Sequence, residues 1–489
     1  MAKGKDENVK KKAKRSPKEP YSWKRKWTAH QKMDMQEVER LASLYMDYLD
    51  SAKTEREAVS YWSGRLREEG FFELTSRTRR KPKPGDGFFV VNRDKQIAAG
   101  IVGKAPFEKG ANLVVAHLDS PRIDLKPLPL DGDRETGLGI LRTHYYGGIK
   151  KYHWVNIPLS LHGRVVRSDG SYLDLSIGED AKDPVFLIPD LEPHLSKNAQ
   201  NKRKISEAIH GEEMLALIGS GPIPEDEDER SPVVGGVLSY LHREYGLKEE
   251  DLISSDLTLV PSWGARDIGL DRGLIGAYGH DNRVSSFCAT QGLIDMKLAR
   301  SVPERWSIAM NFDKEEIGSD GNTGAKSQYL ELLFYDLLAW SGSTGTRRSL
   351  MSAMSSSFAL SADVKSGMNP LFKSVQDPFN SARLGAGVTI TKYTGRGGKI
   401  GANDASAEMV GSIRQLFNSE KVIWQMQETG RVDEGGGGTV AKFIASRNMD
   451  VLDIGIPLLS MHSPFEVLSK MDLQMGHRAF TVFFEKYAR

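Results

Sequence analysis

Apolar side chains recur at Val38, Leu41, Leu44, Tyr45, Tyr48 and Leu49. Steps of three and four put them on one helical face, which predicts a helix over residues 34–52. Thr54-Glu55-Arg56-Glu57 follows and reads as a capping box. A hydroxyl and a carboxylate three positions apart satisfy the first free amides of a second helix, and Gly70 is placed to end it. The period then shortens. GFFVVN (87–92) and IAAGIVG (97–103) predict short strands, and NLVVA (112–116) predicts a buried strand running straight into His117.

From about 124 to 265 the texture changes. Gly, Pro and Asp punctuate short alternating runs, and Asp169-Gly170 between VVRS and SYLDLS reads as a hairpin turn. The acidic run Glu225–Glu229 is bounded by prolines and reads as an exposed loop. The α/β pattern resumes near 266 and continues to the end. The expected organisation is an α/β domain formed by residues 33–123 and 266–489, interrupted by a β-rich unit over 124–265. A length of 489 residues exceeds one ordinary core and suits two domains.

Several strand-like runs end in a side chain that can bind metal. NLVVA ends at His117, with Asp119 two positions on. WSIAMNF ends at Asp313-Lys314-Glu315-Glu316, SSFALSA at Asp363 and IPLLSM at His462. Asp281, in GHDNR, precedes a helical pattern through Val284, Phe287, Cys288 and Met296. Taken singly, each has a plain structural explanation. A Glu pair suits a solvated face, an Asp before a helix suits a cap, and a His at a strand end suits a satisfied core position. Together they agree in position, because open α/β sheets gather their ligands at the carboxyl ends of strands. Two His and several carboxylates without Cys suit catalytic zinc, cobalt or manganese. Five ligands suit two ions about 3.5–4 Å apart with a bridging carboxylate and a shared, acidified water. A further carboxylate beside them can carry its proton to a leaving amine. Neighbours in a regular strand face opposite ways, so Glu315 and Glu316 reach one site only where the strand has ended. Either glutamate suits either part.

Composition narrows the setting. Apolar residues make up 39% and aromatic residues 8%, as in soluble globular chains, and no apolar stretch approaches the length of a membrane span. The single cysteine, Cys288, excludes an intrachain disulfide and fits a reducing, cytoplasmic setting. Residues 1–32 hold twelve Lys and Arg against three Asp and Glu, a charge of +9, which leaves −7 for the rest. This tail lacks apolar periodicity, reads as disordered and shows no secretory core. Nucleic-acid binding through it is the weaker reading beside a solvated tail. Other signatures fail: there is no HExxH or GxSxG, and GRGGKIG (395–401) lacks the GK[ST] of a phosphate loop.

AHLDSPRIDLKP, GHDNR, DKEEIGSDGNTG, SADV and SMHSPFE, in that order, resemble the successive signatures of the aspartyl aminopeptidase / aminopeptidase I family of dinuclear zinc exopeptidases. The resemblance runs from about residue 34 to the C-terminus. DKEEIGSDGNTG and YGGIKKYHW (146–154) look closer to the bacterial aminopeptidase I branch. The resemblance implies a zinc-exopeptidase-like α/β/α sandwich with an inserted dimerisation domain, and a tetrahedral homododecamer acting on peptides. It implies two divalent ions, zinc by preference, held by His117, Asp281, Glu316, Asp363 and His462, with Asp281 bridging. It makes Glu315 the general base, and Asp119 the group that orients the ring of His117. His194, in LIPDLEPHL, matches a histidine given to the substrate across a subunit boundary, and Lys392, in GVTITKYTG, matches a lysine near the substrate. Ser366 and Gly401 stand where the aspartyl branch has His and Tyr, which implies a neutral or broad N-terminal preference. Carboxypeptidase or N-deacylase chemistry on a similar centre is the rival reading. It needs a cation for the substrate carboxylate, which Lys392 or Arg431 would supply.

Overall fold

The computed structural model describes residues 33–221 and 232–488. The basic tail and the Glu225–Glu229 run lie outside the described residues. The predicted helices form as Met35–Ser51 and Glu55–Glu68. The capping box is made as expected: Thr54 Oγ1 accepts from the Glu57 amide at 3.3 Å, and Glu57 Oε2 accepts from the Thr54 amide at 2.9 Å. Gly70 takes φ +78 after the helix, a conformation that favours glycine.

Nine strands form the main sheet, in the order Phe72–Glu73, Gly87–Asn92, Gln96–Ile101, Trp306–Phe312, Ala111–His117, Phe358–Ala362, Asp450–Gly455, Val388–Thr391 and Trp424–Met426. The four strands from Trp306–Phe312 to Asp450–Gly455 are mutually parallel, so their carboxyl ends share one edge. Their sequences are mostly apolar because both faces are covered, and the polar residues among them, such as Asn112, Asn311, Ser361 and Asp453, are themselves buried. Val114, Leu360 and Leu452 pack with helices Met35–Ser51, His280–Leu298 and Lys470–Lys486. Leu113, Val115 and Ile308 face the other way, onto helices Tyr329–Ser341 and Arg347–Ser355. The result is an α/β/α sandwich.

Residues 122–261 supply a second, six-stranded antiparallel sheet. It has its own core around Trp154, Leu159, Met214 and Leu259. The Asp169-Gly170 turn joins strands Leu159–Val166 and Tyr172–Ile177 of this sheet, with Gly170 at φ +83. A third sheet was not legible from pattern. It pairs Leu274–Ala277, Glu466–Ser469, Pro457–Leu459 and Lys365–Ser366. This small sheet draws the segments bearing Asp281, His462 and Asp363 to the rim of the main sheet. Among the described residues no helix is long and apolar enough to cross a membrane.

Candidate metal centre

His117 is the last residue of its strand and is 1% exposed. Asp281 is the second residue of helix His280–Leu298, and its ψ of 106° is not helical. Its two oxygens face two histidines. Oδ1 lies 3.4 Å from His117 Nε2, and Oδ2 lies 3.2 Å from His462 Nε2. Asp363 Oδ1 stands 3.6 Å from His117 Nε2, and Glu316 Oε2 stands 3.4 Å from His462 Nε2. The five side chains thus form two pairs around one central carboxylate.

The tautomers follow from the carbonyls behind the rings. His117 Nδ1 is 3.0 Å from the Asp119 carbonyl, and His462 Nδ1 is 2.9 Å from the Gly148 carbonyl. A carbonyl only accepts, so each Nδ1 carries a hydrogen, and Nε2 is the ring atom that each histidine turns to the carboxylates.

The two glutamates share one turn. The strand stops at Phe312, Lys314 takes φ 65°, and Glu315–Ile317 form a single 3₁₀ turn. Asp119 holds that turn from below. Its Oδ1 accepts the Glu315 amide and its Oδ2 the Glu316 amide, both at 3.1 Å, while Tyr146 donates its hydroxyl to Oδ2 at 2.9 Å. Asp119 is expected to accept a hydrogen bond from the ring of His117. The ring Nδ1 lies 3.0 Å from the Asp119 carbonyl and 3.3 Å from its carboxylate Oδ1.

The donor set fits divalent cations. The atoms are imidazole nitrogen and carboxylate oxygen, with no thiolate. Ligand atoms of His117, Asp281 and Glu316 all lie within 4.8 Å of one another. Asp281 Oδ1 and Glu316 Oε1 are buried and have no hydrogen-bond donor among the described residues. Burial and neighbouring carboxylates push Glu315 up to about 8 and Glu316 well above the usual carboxylate range. Burial disfavours the charged form of His462, but Asp281 and Glu316 outweigh it and raise the ring to about 11. Two divalent cations would relieve the same excess of negative charge.

Residues 48–484 match the family of aminopeptidase I zinc metalloproteases, M18. The chain belongs to the M18 family. A probable M18 family aminopeptidase 1 of Borrelia garinii is 40% identical over 461 residues, covering 94% of this chain and 99% of its own. The crystal structure of an M18 aminopeptidase from Thermotoga maritima superposes with a TM-score of 0.89 at 42% identity, covering 94% of this chain and 98% of that one. The S. cerevisiae mApe1 dodecamer shares the fold at 23% identity, with a TM-score of 0.73 over 91% of this chain and 96% of its own. This M18 chain is a zinc-dependent aminopeptidase, a hydrolase of peptide bonds.

Two expected residues of this M18 chain stand apart from the cluster. His194 lies exposed in the loop before the short helix Ser196–Ala199. Lys392 follows strand Val388–Thr391, which runs antiparallel to Asp450–Gly455 with Thr391 opposite Asp453. It is therefore carried away from the rim that bears Asp363, and its ammonium pairs with Asp404 at 2.7 Å. Conversely, three groups of the site were missed. Tyr146 and Gly148 were quoted only within a motif. Glu466 ends the SMHSPFE motif, and its oxygens accept the amides of Asp281 and His462.

Proposed function

We propose that the chain removes single N-terminal residues from peptides at a dinuclear centre. His117 and Asp363 would hold one ion, Glu316 and His462 the other, and Asp281 would lie between them. The observation that carries this is the division of the Asp281 carboxylate between two histidines, one oxygen to each. When bound, the ions act as Lewis acids on the scissile carbonyl and acidify water at the site.

The chain's own residues do the rest. Glu315 sits one residue from the ligand Glu316 on a shared turn, which sets a second carboxylate beside the metal ligands. It takes the proton of the attacking water and returns it to the departing amine. Asp119 fixes the turn from which both glutamates project. The carboxylates around the site meet the substrate's free α-ammonium, which limits cleavage to the first residue.

Residues 33–123 and 266–489 form the catalytic domain in this proposal, and 124–265 the dimerisation domain of a tetrahedral dodecamer. His194, exposed in one chain, would complete a neighbour's substrate site. Lys392, tied to Asp404, is left out of the proposed set. With Ser366 and Gly401 at the positions noted above, the preference is for neutral or varied N-terminal residues. Action on cytoplasmic peptides accords with the single buried cysteine.

The test is a panel of aminoacyl-chromophore substrates, each beside its N-acetylated twin, with zinc, cobalt and manganese in turn. Hydrolysis of the free-amine substrates alone is expected. Preference for the blocked twins would replace this proposal with deacylase chemistry.

A further inference from the structure

We propose that Tyr146-Gly147-Gly148, the segment leaving strand Leu138–Tyr146 of the six-stranded sheet, is a positioning saddle for the metal centre. The proposal rests on the preceding reading for which residues bind metal. Three consecutive residues each meet a different part of the site. The Tyr146 hydroxyl donates to Asp119 Oδ2 at 2.9 Å. Gly147 lies against Glu316: a Cβ placed there would stand 3.4 Å from the Glu316 Cβ and 3.4 Å from that of Pro121. The Gly148 carbonyl accepts from His462 Nδ1 at 2.9 Å.

Each contact restricts something the chemistry needs. Asp119 is wholly buried, and its carboxylate holds the amides of both Glu315 and Glu316. Tyr146 is its one side-chain hydroxyl donor among the described residues. Without that donor the carboxylate keeps its two amides but loses the one hydroxyl bond that Oδ2 receives beside them. The Gly148 carbonyl selects the tautomer that leaves His462 Nε2 free. Gly147 has φ +77, so any side chain there meets both backbone strain and the Glu316 stem.

The saddle is itself held from outside the site. Tyr146 is the register partner of Arg122, whose guanidinium lies 4.1 Å from the Tyr146 ring centroid. Arg122 is tied in turn to Glu55 at 3.0 Å and to Asp124 at 2.8 Å. The six-stranded sheet therefore reaches the metal ligands by a chain of direct contacts, and its seating sets the position of both glutamates.

Tyr146→Phe keeps the ring and its packing on Arg122 and removes one hydroxyl. The control is Tyr145→Phe, the preceding residue, 40% exposed with its ring beside His144 and Lys151. Zinc affinity is measured by chelator competition on metal-free protein, and kcat and KM separately. Tyr146→Phe is expected to weaken zinc binding and lower kcat, each about 10-fold, with KM little changed and Tyr145→Phe like wild type. Gly147→Ala is expected to weaken zinc binding as well, and serves should Tyr146→Phe fold poorly. Wild-type zinc affinity and kcat in both variants would overturn the proposal. If the wild type cleaves no free-amine peptide, the functional reading falls while the affinity comparison still decides this one.

Discussion

Glu466 accepts the backbone amide of Asp281 at 2.9 Å. Its other oxygen accepts the amide of His462 at 2.7 Å, and the side chain is 1% exposed. One buried carboxylate thus ties together two ligand segments far apart in the chain. A carboxylate accepts at both oxygens, whereas a carboxamide accepts at one and presents an N–H at the other. Glu466→Gln is therefore expected to leave one buried amide without an acceptor, at a cost of about 1–3 kcal/mol in folding free energy. Urea denaturation of the metal-free protein reads this directly. Stability equal to wild type would reduce Glu466 to a packing role.

The neighbouring glutamates are expected to separate under mutation. Glu316 Oε2 faces His462, and its other oxygen is buried without a donor. Glu315 precedes it on the same single turn. Glu315→Ala should lower kcat by about 10²- to 10⁴-fold with both ions retained. Glu316→Gln should lose bound metal. Metal content by elemental analysis, beside steady-state rates, checks the split. A Glu315→Ala enzyme of near-normal rate would reverse the two assignments.

The ends of the runs were legible because a parallel strand buried on both faces is mostly apolar, and the ionisable residues at or just past its carboxyl end mark the rim. That logic finds His117, Glu315, Glu316 and Asp363 without any structure. His462 and Asp281 were placed by the same pattern, but the small sheet that brings them in is built from strands of two to four residues, too short for a period to show. Asp119 was found as a neighbour of His117, yet its main bonds go to amides almost 200 residues away, which no local spacing encodes. Tyr146 acts through the Asp119 carboxylate and Glu466 through backbone amides, both on segments distant in the chain. Lys392 shows the converse: a motif match places a residue along the chain, while the antiparallel direction of its strand carries it from the rim.

Stability should fall on the alkaline side through His162. This residue lies on strand Leu159–Val166 of the six-stranded sheet and is 3% exposed. Nδ1 is 2.7 Å from Glu57, on the helix after the capping box, and Nε2 is 2.9 Å from Glu179. Lys53 also donates to Glu179, at 2.7 Å. Burial works against the charged ring, but the two carboxylates outweigh it and raise His162 to about 9. A raised group stabilises the fold fully below its unfolded value near 6.5, and that contribution is lost as pH climbs through about 9. Glu179 is a lowered group: burial opposes its charge, yet His162 and Lys53 hold it down to about 2. Its contribution is present above the ordinary carboxylate range and fades as pH falls toward 2. Denaturation free energy should therefore drop between about pH 6.5 and pH 9, by up to about 3 kcal/mol for the histidine alone. His162→Gln should flatten that alkaline slope and leave kcat at neutral pH in place. A slope unchanged in the variant would assign it to other groups.

Metal should stabilise the fold as well as activate it. Asp281 brings one oxygen to each histidine, and its Oδ1 has no donor among the described residues. Ions bound there join segments from both ends of the catalytic domain, and they bind the folded chain far better than the unfolded one. Such binding adds about 2.7 kcal/mol when free metal is 100-fold above Kd. Chelation is expected to abolish turnover and lower the melting temperature, and zinc to restore both. Asp281→Asn keeps the volume but offers one acceptor oxygen in place of two, so its melting temperature should respond weakly to zinc. Full zinc stabilisation of Asp281→Asn would show that the two histidines are served by separate carboxylates, and would remove Asp281 from between the ions.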